Sequence, residues 1–173
     1  MIWLTSDLHL NHAKIIKYCD RPFKDVNIMN ETIIENWNYL VKEDDLIYIL
    51  GDFCFGDARP LLDKLNGIKV LIEGSHDSSA MSCRNKFKFT TPLLNIVIDK
   101  QPITLCHYAM RVWHRSHYNS YHSYGHSHGT LPSIGKSMDV GVDTNNFKPY
   151  SWEDIKEIIK NKPDNPNLVK NVK

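Results

Sequence analysis

The chain has 173 residues, of which 42% are hydrophobic and 24% are charged, and its formal net charge at pH 7 is +1. This length and this apolar content are sufficient for one domain with a full hydrophobic core. The nearly balanced charge argues against a general nucleic-acid binder, because such a protein would carry a basic face.

Targeting and redox features of the sequence favour a cytoplasmic protein. No apolar run approaches the roughly 18 residues of a membrane span, so we expect no membrane partner. The N-terminus starts directly with a predicted strand and lacks the basic segment of a secretory signal. The four cysteines have no CxxC spacing, which favours reduced thiols.

The first half of the chain predicts a parallel α/β unit. Apolar runs predict three buried strands, over residues 1–5, 46–50 and 68–72. Three helices are predicted between these strands, over residues 13–16, 28–41 and 58–65. Asn11 is the expected N-cap of the first helix. This alternation of strands and helices implies that neighbouring strands are parallel.

The second half of the chain changes to short strands joined by turns. Strands are predicted over residues 87–90, 93–98, 103–106 and 138–142. A turn at residues 99–102 joins the middle two, which implies an antiparallel or mixed part of the sheet. Residues 110–123 show no clear period and are predicted to form a loop. Ser151 and Asp154 predict a capping box for a helix that ends near Ile159.

The chain is predicted to form a single domain over residues 1–161. We find no internal repeat that would divide it. Residues 162–173 contain two prolines, three asparagines and three lysines, a composition typical of a frayed polar tail.

Carboxylate and imidazole side chains follow the ends of several predicted strands. They are Asp7 with His9, Asp52, His76 with Asp77, His107 and, further along the chain, His126 with His128. Ligands of open α/β sheets bind beyond the carboxyl ends of the strands. These side chains therefore converge if the four strands that precede Asp7, Asp52, His76 and His107 lie side by side. Oxygen and imidazole ligands together suit Mn, Fe, Ni or Zn. Asp52 could bridge two ions, because a carboxylate has two oxygens.

The order of these motifs resembles the calcineurin-like metallophosphoesterases, and most closely their small phage and bacterial members. The similarity extends from Met1 to about Trp152. It includes four shared stretches, at residues 5–12, 21–23, 36–38 and 138–143. The resemblance implies an α/β fold in which two mixed β-sheets pack together and are flanked by helices, a four-layer αββα sandwich.

The resemblance also implies roles for these residues. Asp7, His9 and His128 would bind a first metal. His107 and His126 would bind a second metal, and Asp52 would bridge the two. His76 would stay uncoordinated beside the phosphate, and Asp77 would hold its ring. The implied cofactors are two divalent transition-metal ions, with Mn expected first and Fe, Ni and Zn as alternatives.

The implied activity is the hydrolysis of a phosphodiester or a nucleotide-type phosphate by a metal-activated hydroxide. The expected partner is a small phosphorylated substrate, with nucleotides among the candidates. A phosphomonoesterase is the nearest alternative. The alternative from another class is a metal- or nucleotide-binding protein with little turnover.

Ser75 departs from the family motif Gly-Asn-His-Asp, which in this chain is Gly-Ser-His-Asp at residues 74–77. In the family the asparagine amide oxygen binds the second metal, and a serine hydroxyl is shorter and a poorer neutral ligand. Three explanations stay open: an engineered substitution, a natural variant in which water fills the gap, and a lineage that lost activity. We hypothesise a weakened second site, in which Ser75 keeps a weak metal or phosphate contact.

His12 and Arg21 are weaker candidates for substrate contacts. His12 could touch the substrate or could be a polar residue early in a helix. Arg21 could bind phosphate, since a guanidinium matches phosphate geometry, or could lie exposed on the surface. Residues 113–118 are expected to line one wall of the cleft, either by stacking a nucleobase or as simple loop packing. Three further histidines match no ligand position: His114, His117 and His122.

Overall fold

Two β-sheets form the centre of the protein, in a computed structural model that describes residues 1–165. The first sheet consists of β1 (Ile2–Thr5), β2 (Leu46–Ile49), β3 (Ile68–Ile72), β4 (Thr90–Thr91) and β9 (Tyr150–Ser151). The second sheet consists of β5 (Leu93–Ile98), β6 (Gln101–Cys106), β7 (Tyr121–Tyr124) and β8 (Ser137–Asp139). The strand orders are β4-β3-β2-β1-β9 and β5-β6-β7-β8.

Both sheets are mixed. Strands β1 to β4 are parallel to their neighbours, and β9 pairs antiparallel with β1. In the second sheet β5 and β6 are antiparallel, whereas β6, β7 and β8 are parallel. The predicted parallel unit and the predicted antiparallel hairpin are therefore both confirmed.

Alternate residues of the first sheet face two separate cores. In β1, Trp3 belongs to the core on the outer face of the sheet, and Leu4 belongs to the core between the two sheets. Ile47 and Tyr48 alternate in the same way in β2, because successive side chains of a strand point to opposite faces. These strands are buried on both faces, which explains their continuous apolar sequences.

Helices cover the outer face of the first sheet. They are α1 (Ala13–Tyr18), α2 (Val26–Leu40), α3 (Arg59–Leu62) and α4 (Ser78–Ser82). The buried residues of α2 are Met29, Ile33 and Trp37, whose spacing places them on one helix face. Asp25 begins α2 as its N-cap, since its carboxylate accepts hydrogen bonds from the amides of Asn27 and Ile28.

The last helix, α5 (Trp152–Ile159), packs into the core between the sheets. Its buried residues Trp152, Ile155 and Ile159 belong to the same core as Leu105 of β6. It begins at the predicted capping box of Ser151 and Asp154, which is confirmed. The architecture is that of two mixed sheets flanked by helices, the predicted fold class.

The N-terminus of α1 differs from the prediction. His12, and not Asn11, is the N-cap residue, and no side chain caps this helix. Asn11 adopts a left-handed conformation with φ of +64°. Its side-chain amide donates to the Phe55 carbonyl at 3.2 Å, and its carbonyl accepts from Asn30 at 2.7 Å. Asn11 therefore links the loop after β2 to helix α2 instead of capping α1.

The predicted loop over residues 110–123 contains the start of β7. All four residues of this strand are buried, so the sequence shows no alternation of polar and apolar positions. The polar ring of His122 is satisfied inside the protein: Nδ1 lies 3.0 Å from the Thr104 carbonyl, and Nε2 accepts from the Met110 amide at 3.1 Å. Hydrogen bonding in this case replaces the apolar pattern that would identify a buried strand.

The first residues of the predicted polar tail pack against the body of the protein. Lys162 Nζ donates to the Ser137 carbonyl at 2.7 Å. Asn165 is buried, and its side-chain amide donates to the carbonyl of Arg111. The remainder of that tail, residues 166–173, lies outside the described residues. Over residues 1–165, no helix is both long and apolar enough to cross a membrane.

Candidate metal centre

The predicted ligand residues converge where the two sheets meet. Each lies beyond the end of a strand: Asp7 and His9 after β1, Asp52 after β2, His107 after β6, and His126 and His128 after β7. The four strands do not lie side by side in one sheet, because β6 belongs to the second sheet. The convergence depends on the packing of two sheets and not on one sheet edge.

Left-handed backbone conformations recur at these positions. The φ angles at Asp7, His9, Asp52, His126 and His128 are +56°, +49°, +53°, +67° and +47°. Such conformations cost a non-glycine residue on the order of 1–3 kcal/mol each. Neighbouring hydrogen bonds hold the first of these turns, since the amides of Asp7 and His9 each donate at 3.0 Å to carbonyls of the loop after β2.

Asp7, His9 and His128 form what we call the first ligand group. One carboxylate oxygen and one nitrogen of each ring lie within 4.8 Å of one another. The two imidazole rings are stacked, with centroids 5.2 Å apart. Asp7 and His9 are buried, and His128 is half-buried.

Asp52, His107 and His126 form the second ligand group, whose three candidate atoms also lie within 4.8 Å of one another. Asp52 Oδ1 is 3.6 Å from His107 Nε2, and its other oxygen, Oδ2, is 3.5 Å from His9 Nε2. The Asp52 carboxylate therefore adjoins both ligand groups.

Buried polar atoms without hydrogen-bond partners mark the centre of the site. Among residues 1–165 they include Asp7 Oδ1, both ring nitrogens of His9, and His107 Nε2. A buried donor or acceptor left unpaired costs about 1–3 kcal/mol. Carboxylate oxygens and imidazole nitrogens are ligand atoms for Mn, Fe, Ni and Zn. The residues present therefore fit divalent transition-metal cations.

Burial shifts the pKa values of the first ligand group. It raises the pKa of Asp7 to about 7, partly opposed by the nearby His128. Burial, together with repulsion from His128, lowers the pKa of His9 to about 2, so His9 is neutral, as a metal ligand must be. Burial alone would lower the pKa of His128, but a hydrogen bond to Asp143 and the charge of Asp7 raise it.

Two glycines allow the strand-end loops to approach the ligand residues. A Cβ atom at Gly51, whose φ is +88°, would lie 2.6 Å from His107 Nδ1. A Cβ atom at Gly125 would lie 2.5 Å from Asp7 Oδ2 and 1.9 Å from Ser6 Oγ. Any larger residue at either position would displace a ligand residue.

The loop after β3 brings Ser75 and His76 to the rim of the site. The His76 amide donates to Asp52 Oδ1 at 2.9 Å, and Ser75 Oγ lies 3.4 Å from the same oxygen. The His76 side chain is exposed, and its ring centroid is 6.0 Å from that of His9. His76 is therefore accessible to a bound molecule while its backbone is fixed to Asp52.

Asp77 does not hold the His76 ring in the way that the resemblance implied. Its carboxylate accepts hydrogen bonds from the backbone amides of Asp52, Phe53 and Gly74, at 3.1, 2.9 and 2.7 Å. Asp77 is buried, so these bonds are shielded from water. The structure thus places Asp77 between the loops that follow β2 and β3, where it orients Asp52.

A cleft of about 870 Å³ opens over both ligand groups. Its lining combines ligand residues with an aromatic cluster, which consists of His12, Tyr18 and Phe55. The rings of His12 and Phe55 are stacked with centroids 4.0 Å apart, and Tyr18 packs edge-on against His12 at 6.2 Å. Tyr18 is 69% exposed. His12 therefore lies where a substrate contact was predicted.

Arg21 neither lies exposed on the surface nor lines the cleft as a phosphate-binding residue would. It is only 4% exposed, so the alternative of a surface residue is wrong. Its guanidinium donates to the Asp143 carboxylate and to the carbonyls of Asp7 and Leu8. Arg21 thus lies behind the first ligand group, and the predicted phosphate contact has no support from this geometry.

Residues 113–118 do not line the cleft over the ligand groups. Trp113 is buried, and its Nε1 donates to the Ser120 carbonyl at 3.1 Å. His114 and Arg115 line a separate depression beside β5. These positions favour the loop-packing alternative over the stacking of a nucleobase.

Sequence reasoning missed Tyr18, Phe55 and Asp143. Asp143 ends the stretch 138–143 that the chain shares with the small metallophosphoesterases, which is a signal that could have identified it. Phe55 is close in sequence to Asp52, but an aromatic residue after a strand is by itself no sign of a site.

The chain resembles several known proteins. No protein-family model matches it. The uncharacterized protein MJ1445 of Methanocaldococcus jannaschii is 37% identical over 174 aligned residues, which cover 91% of this chain and 90% of that protein. The crystal structure of a protein of unknown function from Aquifex aeolicus, AQ665, has a TM-score of 0.74 at 26% identity, covering 92% of this chain and 99% of the other.

A more distant likeness is to an archaeal phosphodiesterase, with a TM-score of 0.47 and 14% identity over 81% of each chain. That similarity is too low for its activity to be transferred. The order of the ligand motifs along the chain resembles that of the calcineurin-like metallophosphoesterases. At 37% identity over 91% of its length, the chain belongs to the same family as the protein from Methanocaldococcus jannaschii.

Proposed function

We propose that this protein is a dinuclear metal-dependent phosphoesterase. The position of Asp52 supports the proposal most strongly, because its two oxygens lie 3.5 Å and 3.6 Å from nitrogens of His9 and His107. A bridging ligand of this kind holds two cations about 3.5–4 Å apart in hydrolytic sites. The first ligand group would hold one ion, and His107 with His126 would hold the other.

When bound, two divalent cations would lower the pKa of a water molecule and neutralise charge on the phosphate. His76 would act as the general acid, because its exposed imidazole can donate a proton to the leaving oxygen. Its amide is bonded to Asp52, which fixes the position of the loop. Asp77 would act indirectly, by holding the turn that carries Asp52.

We propose Mn as the resident metal, with Fe, Ni and Zn as alternatives. The two ligand groups together offer two carboxylates and four imidazoles. This mixed set suits those metals better than it suits Mg, which favours oxygen ligands and retains several waters.

The aromatic cluster supports a phosphodiester or a nucleotide-type phosphate as substrate. His12, Tyr18 and Phe55 place planar apolar surface in the same cleft as the ligand groups. Stacking of a base on an aromatic side chain stabilises binding by about 1–3 kcal/mol. A small phosphorylated molecule matches a cleft of about 870 Å³. A phosphomonoesterase, the alternative, would not need this surface.

A second candidate function, binding with little turnover, is favoured by Ser75. At Ser75 the chain has a hydroxyl, a poorer neutral ligand than an amide oxygen, where the motif that it resembles has asparagine. The Ser75 hydroxyl lies 3.4 Å from the Asp52 carboxylate. A weak second site would slow hydrolysis while leaving the first ligand group able to bind a cation.

We also propose a cytoplasmic location. Cys19, Cys54, Cys83 and Cys106 are all free thiols. Free thiols are the rule in a reducing compartment.

The test is the hydrolysis of bis(p-nitrophenyl) phosphate, a diester, and of p-nitrophenyl phosphate, a monoester, with added Mn. Asp52→Asn is expected to lower turnover by more than the roughly 10–100-fold that is typical of changes behind the ligands. Asp44→Asn is the matched control, because Asp44 is an exposed carboxylate close in sequence.

Each outcome separates two of the candidates. Faster cleavage of the diester supports the proposal, and faster cleavage of the monoester favours a phosphomonoesterase. Binding of Mn without cleavage of either compound favours the binding role. Equal hydrolysis by wild type and Asp52→Asn would indicate a contaminating enzyme and would contradict the proposal.

A further inference from the structure

We propose that Asp143 and Arg21 are positioning residues for the first ligand group. Asp143 fixes the ring of His128, and Arg21 fixes Asp143 against the backbone of the Asp7 turn. This inference rests on the metal centre proposed above and extends it to two residues that act through the ligands.

Asp143 orients the imidazole of His128. Its Oδ2 lies 2.7 Å from His128 Nδ1, so that nitrogen carries the hydrogen of this bond. The other ring nitrogen, Nε2, keeps its lone pair and is the one available to a cation. A carboxylate bonded in this way fixes the tautomer and the orientation of a ligand histidine.

Arg21 in turn holds Asp143. Its Nε donates to Asp143 Oδ1 at 2.8 Å, and its Nη2 donates to Oδ2 at 2.8 Å. The Arg21 side chain is 0% exposed and that of Asp143 is 9% exposed. A guanidinium makes such paired bonds in one plane, so the carboxylate has little freedom to rotate away from His128.

Arg21 also bonds to the turn that carries the other ligands. Its Nη2 donates to the Asp7 carbonyl at 2.7 Å, and its Nη1 donates to the Leu8 carbonyl at 3.0 Å and contacts Met29 Sδ at 3.4 Å. With the two bonds to Asp143, these contacts occupy the five N–H donors of the guanidinium. Arg21 therefore connects the turn after β1 to Asp143, and through it to His128 after β7.

The arrangement explains two stretches that the ligand motifs leave unexplained. Arg21 begins the shared stretch 21–23, and Asp143 ends the shared stretch 138–143. The two residues are separated by 122 positions in the chain and meet directly behind the first ligand group. Their pairing gives one residue of each stretch a role.

The test measures the binding of Mn itself, by titration calorimetry of the metal-free protein. Asp143→Asn keeps the size of the side chain and removes its charge. Asp45→Asn is the matched control, because the Asp45 side chain is 10% exposed and that of Asp143 is 9% exposed. Asp45 is bonded to the N-terminal amine, to Trp3 Nε1 and to the Lys42 amide. It precedes β2, at the end of the strand opposite to Asp52. The melting temperature of each metal-free variant is recorded as a measure of folding.

We expect Asp143→Asn to weaken one of two Mn-binding steps by about 10–100-fold, the effect typical of residues behind a ligand. The other step should keep its wild-type affinity. Asp45→Asn should leave both steps unchanged even if its melting temperature falls. Wild-type affinity for both ions in Asp143→Asn would overturn the proposal, because a merely structural ion pair would affect folding alone.

Arg21→Lys keeps the proposal testable if Asp143→Asn does not fold, and a double variant tests whether Asp143 acts through His128. Arg21→Lys retains the charge but loses the paired bonds, and it should weaken the same step by a smaller factor. In a His128→Ala background, Asp143→Asn should have no further effect on Mn affinity, since Asp143 acts through that ring. An equal effect in both backgrounds would contradict the proposed route.

These measurements separate this inference from the proposed function. Wild type that binds two Mn ions but hydrolyses neither p-nitrophenyl compound would contradict the phosphoesterase and leave the positioning role intact. Hydrolysis by wild type, together with unchanged Mn affinity in Asp143→Asn, would support the phosphoesterase and contradict the positioning role. Wild type that binds no Mn would overturn both.

Discussion

Asp52 Oδ1 lies 3.6 Å from Nε2 of His107, although the two residues follow strands of different sheets. Their side chains are 4% and 0% exposed. Two polar groups from separate sheets thus face each other in a nearly dry environment. A cation bound between them would join the sheets, which connects the metal centre to the stability of the whole fold.

We therefore expect Mn to raise the melting temperature of the metal-free protein. A ligand at 100 times its Kd stabilises the folded state by about 2.7 kcal/mol, equivalent to about 5–10 °C for a domain of this size. Differential scanning fluorimetry over a range of Mn concentrations measures the shift. Asp52→Asn should lose most of it, and Asp44→Asn should retain it. A melting temperature that does not respond to Mn would contradict the expectation.

Ser75→Asn introduces, beside Asp52, the asparagine of the motif that this chain resembles, and we expect it to strengthen the second metal site. The amide oxygen of asparagine is a better neutral ligand than a hydroxyl and extends further from the backbone. The second Mn ion should bind at least about tenfold more tightly, and hydrolysis should become faster at limiting Mn. Calorimetric stoichiometry and initial rates measure both effects.

Ser75→Ala is the control for that variant, because it removes the hydroxyl without adding a ligand. It should weaken the second site slightly if Ser75 keeps a weak contact. An unchanged stoichiometry and an unchanged rate in Ser75→Asn would show that the second site is not weakened in this chain.

Tyr18→Ala tests the aromatic cluster. Tyr18 is 69% exposed, so its removal should leave the fold intact. We expect KM for thymidine 5′-p-nitrophenyl phosphate to rise about fivefold, which corresponds to about 1 kcal/mol of lost stacking, with kcat little changed. Methyl p-nitrophenyl phosphate has the same leaving group without the nucleoside, and its KM should not change. Tyr39→Ala, at another exposed tyrosine, should behave like wild type for both compounds.

The position of the ligand candidates at strand ends was predictable because it depends on local order. An apolar run followed by Asp7 or Asp52 indicates a strand end, and strand ends are where such folds bind ligands. The assignment of β6 to a second sheet was not predictable in this way, because sheet partners are chosen by pairing between distant segments.

Arg21 shows a second limit of sequence reasoning. Arginine is mostly exposed in proteins, so a surface position or a phosphate contact was the natural prediction. Its buried pairing with Asp143 depends on a contact across 122 residues, which no local pattern records. Likewise, the hydrogen bonds that bury His122 in β7 have no counterpart in the hydrophobic period of residues 110–123.

His122 also carries a prediction about pH. Burial lowers its pKa to about 4 in the folded protein, against about 6.5 for an unfolded chain. Between these values the unfolded state binds the additional proton, so folding stability is complete above pH 6.5 and falls as the pH decreases towards 4. The loss attributable to His122 should reach about 3 kcal/mol, at 1.36 kcal/mol for each pKa unit.

Urea unfolding of the metal-free protein at pH 7.5 and pH 4.5 measures this loss. His122→Asn removes a buried, hydrogen-bonded ring, so it should be less stable than wild type at pH 7.5. Because asparagine cannot take up a proton, the variant should lose clearly less stability between pH 7.5 and pH 4.5 than wild type does. His117→Asn is the matched control, because His117 is exposed in the same region of the chain and should keep the wild-type pH dependence. Since other titrating groups such as His9 are common to all three proteins, the difference between them isolates His122. Equal losses in wild type and His122→Asn would show that this histidine is not held neutral in the fold.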